Sequence, residues 1–110
     1  MSLDISIVQN CSCCHACETV FESNITHNLI PVWNKAGVYE ALYMSDGKEP
    51  IDIVCDLEKG CVDMVKNRKE YEKLNPKNGW GDCEAAISFL EKLVFACHEY
   101  AINHRIEISK

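Results

Sequence analysis

A chain of 110 residues, 47% apolar and 25% charged, is enough for one domain, residues 1–110, that buries its own core without disulfide staples. A net charge of −6 disfavours nucleic acid and an anionic membrane surface as partners, because both are bound through clustered Lys and Arg. The first residues lack a basic start and a long apolar stretch, and no apolar run reaches membrane-span length, so the chain reads as cytoplasmic.

Residues 3–8 alternate Leu3, Ile5 and Ile7 with Asp4 and Ser6, which predicts a strand with one buried side. Residues 18–23, with Thr19, Val20 and Phe21, predict a second strand, and the short segment between them makes the pair a hairpin. Asn28 is read as the N-cap of a helix that has Pro31 in its first turn, ends at Ala36 and stops at Gly37. Residues 38–43 add a short helical turn, Asp46-Gly47 marks a surface turn, and Glu49-Pro50 opens the next element. In that element Ile51, Val54, Leu57, Cys61, Val62 and Val65 form the expected buried stripe, interrupted at Gly60. Residues 66–73 are charged and read as solvated, and Asn75-Pro76 and Asn78-Gly79 carry turn chemistry. The last helix has the strongest pattern: Cys83, Ala86, Ile87, Leu90, Val94 and Cys97 recur at helical spacing, with Gly81 or Asp82 as cap. Residues 105–109 alternate through Ile106 and Ile108 and predict a third strand, paired beside the first. The expected fold is α+β: a small three-stranded, mainly antiparallel sheet in the order 2-1-3, packed against about three helices.

Eight cysteines in a chain without a secretory signal point to reduced, metal-bound or buried thiols rather than disulfides. Cys11, Cys13, Cys14 and Cys17 crowd the hairpin tip at residues 11–17 as C-x-C-C-x-x-C, with two overlapping C-x-x-C spacings. Such turns bring thiolates onto one tetrahedral ion, so structural zinc is the expected cofactor. Cys11, Cys14 and Cys17 are the safest ligands, and the fourth is open between Cys13 and a residue such as His15, His27, Cys55 or Cys61. Cys55, Cys61, Cys83 and Cys97 otherwise read as core residues.

Two polar blocks exceed what helix capping requires. One holds Asn24, Thr26, His27 and Asn28; the other holds Asn78 and Trp80 and leads to Glu84. Loops at the ends of rigid elements commonly carry ligand sites, so these seven side chains are the candidate ligand-binding residues. The blocks N-I-T-H-N-L at 24–29, A-G-V-Y-E-A-L-Y at 36–43 and N-P-K-N-G-W-G-D-C-E at 75–84 resemble an uncharacterised family of small phage- and prophage-encoded proteins. The resemblance implies that the His27 and Trp80 blocks form a shared site. The dense cysteine loop departs from the family's pattern, which implies that a bound metal belongs to a subset of the family.

Three functions compete at this level. The first is a zinc-binding phage accessory protein that acts as a binding module for a host protein or a small-molecule ligand. The second is an enzyme using His27 as general base and Glu84 as acid, or a cysteine nucleophile. The third is nucleic-acid binding by Lys66, Arg68, Lys69, Lys73 and Lys77, which is disfavoured because Glu70 and Glu72 interleave with them.

Overall fold

The computed structural model describes residues 2–10, 18–77 and 81–110. β1 (Ser2–Gln9) and β2 (Thr19–Thr26) form an antiparallel hairpin, and β3 (His104–Ser109) pairs antiparallel on the other side of β1. The sheet order is therefore β2-β1-β3, as the alternating segments predict. Ile5 lies opposite Ser23 and Ile108, and Ile7 opposite Phe21 and Ile106. Because side chains alternate across a strand, this register puts Leu3, Ile5, Ile7 and Ile106 on one face, and all four are fully buried. The β1–β2 register shifts between Ile7 and Val8, and Val8 beside that shift is buried too.

The helices cover this apolar face. α1 (Ile30–Ala36) ends where Gly37 takes a left-handed φ of 75°, and α2 (Tyr39–Tyr43) follows at once. α3 (Pro50–Lys66) starts with a reciprocal cap in which Glu49 and Asp52 serve each other's backbone N–H. α4 (Arg68–Glu72) is a short turn, and α5 (Cys83–Glu99) is capped by Asp82, whose carboxylate accepts the Ala85 N–H at 2.8 Å. Asn75 adds a second tie to that end: its side-chain oxygen accepts the Cys83 N–H at 2.9 Å. Among the described residues no helix is long and apolar enough to cross a membrane.

Several local expectations need correction. The buried stripe of α3 is Ile53, Val54, Leu57, Gly60 and Met64, whereas Ile51, Val62 and Val65 are about half exposed. At about 100° per residue, Met64 falls roughly 20° from Leu57 around the helix and Val62 roughly 140°. Angle, rather than apolarity alone, chooses the buried face. Gly60 is no interruption either, because the helix approaches Val38 there so closely that a Cβ would lie 2.3 Å from Val38 Cγ1. In the charged stretch, Tyr71 is fully buried, with its hydroxyl bonded to Asp63 and Lys35 5.5 Å above its ring. Cys83 and Cys97 do pack in the core and Cys61 is half-buried, but Cys55 faces solvent.

Candidate functional site

The sheet ends where β1 begins and β2 finishes, Ser2 opposite Thr26, and a cleft of about 1030 Å³ opens there. β2 continues through Asn24 and Ile25 to Thr26, so part of the expected connection is strand. Thr26 then turns the chain: its hydroxyl accepts the Asn28 N–H at 3.2 Å and caps a 3₁₀ turn over His27–Leu29. The cap residue is thus Thr26 rather than Asn28, and α1 follows directly with Leu29 before it. The strand end and this turn place Asn24, Thr26, His27 and Asn28 along one cleft.

α2 supplies the facing wall. His27 Nδ1 lies 2.8 Å from the Tyr43 hydroxyl, and the Tyr39 ring stacks on Tyr43 at 4.7 Å with 9° between planes. Burial, then the neighbouring Tyr39, pushes the Tyr43 phenol from its ordinary 10.0 up to about 12. Tyr43 is therefore a neutral phenol in the physiological range. It can donate to Nδ1 when the ring proton sits on Nε2, or accept from Nδ1–H when it does not. In the first arrangement His27 keeps an N–H on its other edge. Tyr39 and Tyr43 were missed as site residues; their i, i+4 spacing places both on one side of a helix. Ser2, Ile30 and Lys110 also line the cleft.

The second polar block reaches this region through Gly81. Its φ is +98°, and a Cβ on it would lie 2.8 Å from Thr26 Cγ2 and 3.3 Å from Leu29. Asn78 and Trp80 lie outside the described residues. Glu84 does not line the cleft: its side chain is 83% exposed and its carboxylate lies 3.8 Å from Arg68 of α4.

Cys11, Cys13, Cys14, Cys17 and His15 also lie outside the described residues. Among the described residues no three His, Cys, Asp or Glu side chains are grouped to hold a metal. The described histidines near the hairpin differ in where the sheet carries them. His27 follows β2, nine residues and about 30 Å along the strand from Glu18. His104 stands opposite Gln9 near the end of β1, where the Asn10 N–H donates to Asn103 O at 2.9 Å. Its Nδ1 is 2.8 Å from the Ile102 carbonyl, so Nδ1 donates there, which leaves Nε2 as the edge of a neutral ring that could bind a metal.

No family model, curated protein or solved structure matches this chain.

Proposed function

We propose that this protein is a zinc-clipped binding module of the phage accessory type, whose cleft beside β2 and α2 takes a small polar ligand carrying a flat ring. The observation that carries the reading is the convergence of Asn24, Thr26, His27 and Asn28 on a cleft walled by the stacked Tyr39 and Tyr43. Amides, a hydroxyl and an imidazole fix orientation by hydrogen bonding, while tyrosine rings supply flat apolar area. A host protein offering a comparable side chain would use the same groups. The enzyme reading has less support, because Glu84 pairs with Arg68 instead of lining the cleft with His27.

The test is a thermal-shift and NMR screen of nucleosides, nucleotides and aromatic amino acids, repeated on Tyr39→Ala and His27→Gln. A compound that stabilises the wild type and loses its effect in both variants is the expected result. Silence across the panel, or shifts indifferent to both variants, would remove the reading.

The clip rests on the chemistry of the cysteine turn: four thiols within seven residues supply a complete tetrahedral zinc donor set. The fourth ligand lies between Cys13 and a histidine, and position and tautomer favour His104 among the described histidines. Native mass spectrometry of protein purified without added metal should find one zinc per chain, lost in Cys14→Ser and Cys17→Ser. A folded, metal-free wild type would exclude the clip.

A further inference from the structure

Phe95 is 72% exposed in the C-terminal third of α5, the most exposed of the large hydrophobic side chains described. A lone apolar side chain at a surface is ordinary. This one is a ridge between two apolar troughs. On its β2 side lies a trough of about 400 Å³ lined by Val20, Phe21, Ala96 and Tyr100. On its α3 side lies another, of about 340 Å³, lined by Cys61, Val62 and Val94. Charged side chains rim both troughs, Glu91 among them, and an apolar surface with a polar rim has the form of an interaction site.

The charges beside Phe95 select the occupant. Lys92 and Glu99 both line the β2-side trough, three residues before and four after Phe95, hence on its own stripe of α5. Neither has an ion-pair partner among the described residues. When two copies of α5 run antiparallel about a two-fold axis between Phe95 and Ala96, Lys92 of each copy falls opposite Glu99 of the other. The same axis sets Glu91 opposite Tyr100, so no two like charges of α5 fall directly opposite each other. A ridge flanked by a trough is also the shape that fits its own two-fold mate, each ridge entering the other's groove.

We propose that this protein forms a two-fold homodimer through α5, with Phe95 of each copy seated in the Val20–Phe21–Tyr100 trough of the other and two reciprocal Lys92–Glu99 pairs. The ligand cleft is lined by other residues, so the proposal is independent of the binding reading above.

The test is sedimentation velocity across a concentration series on the full chain and three variants, with circular dichroism to confirm folding. Wild type should pass from monomer to twice the chain mass as concentration rises, and Phe95→Asp should stay monomeric. Lys92→Glu should weaken association roughly ten-fold by breaking both exposed pairs. The exchange Lys92→Glu/Glu99→Lys should restore it, because the pairs re-form with signs reversed. A wild type monomeric throughout, a dimer indifferent to Phe95→Asp, or an exchange that restores nothing would each overturn the proposal.

Discussion

Gly81 passes so close to Thr26 that a Cβ there would lie 2.8 Å from Thr26 Cγ2, and its φ of +98° is one that L side chains rarely adopt. The contact joins two blocks more than fifty residues apart in the chain, the turn after β2 and the entry to α5. Gly81→Ala should therefore cost about 1–3 kcal/mol, through backbone strain and the clash together. Chemical denaturation checks the loss. Adding Thr26→Ser removes the clashing methyl and should recover only part of it, because the strain at φ remains.

Tyr43→Phe deletes the hydroxyl that partners His27 Nδ1. The fold should lose about 1 kcal/mol, typical of one net hydrogen bond in a partly buried setting. NMR of the His27 ring nitrogens should show a changed tautomer balance in the variant. An unchanged ring spectrum would mean that Tyr43 does not orient the imidazole.

Gly60 sets the distance between α3 and Val38. Alanine is the better helix former by about 1 kcal/mol. The clash should nevertheless win, since Val38 is fully buried and Ala36 O lies 3.1 Å from the same point. Gly60→Ala should destabilise by about 1–3 kcal/mol. Combined with Val38→Ala, the total loss should fall short of the sum of the two single losses. Strict additivity in urea melts would count against the contact.

Alkaline pH should weaken the fold. Burial raises the Cys97 thiol from 9.0 to about 12, and burial with Tyr39 raises Tyr43 from 10.0 to about 12. Tyr71 is raised as well, by burial and then by its bond to Asp63. These groups hold their protons more tightly when folded, so their contribution is whole below the unfolded values and is lost as pH climbs through the folded ones. Urea midpoints should be steady near pH 8 and fall between pH 9 and 12. Cys97→Ala should make that fall shallower.

His104→Ala tests the fourth zinc ligand. Cobalt substituted for zinc reports its donor set by colour, and three sulfurs with one nitrogen absorb differently from four sulfurs. Loss of His104 should shift the cobalt bands and weaken zinc binding by at least ten-fold, the lower end for a lost ligand or its support. Bands and affinity unchanged in the variant would exclude His104 as the fourth ligand.

Elements with a clear period were legible from the chain alone. Leu3, Ile5 and Ile7 against polar neighbours specify a one-sided strand, and Ile106 and Ile108 do the same at the other end. Cys83, Ala86, Ile87 and Leu90 specify α5, and Pro50 with Gly37 punctuates the helices around it. Four residues of the cleft, Asn24, Thr26, His27 and Asn28, were legible because their polar density exceeds what a cap needs. Tyr39 and Tyr43 were hidden, because a short apolar helix reads as core whether or not one side meets a cleft.

What remained was a matter of neighbours. α3 carries more apolar residues than one face can bury, and its packing angle chose Met64 and Gly60 over Val62 and Val65. Tyr71 sits in a run of charges, and only the place of α4 beside α3 buries it and gives its hydroxyl Asp63. The hairpin cysteines remain a statement of sequence: their spacing alone nominates zinc. The tertiary fold places the histidines: β2 carries His27 to the far end of the sheet, and β3 sets His104 opposite Gln9. Local periodicity follows from the geometry of one segment, and sequence states it directly. Proximity between distant segments depends on how several such faces are satisfied at once, and only the assembled core determines that.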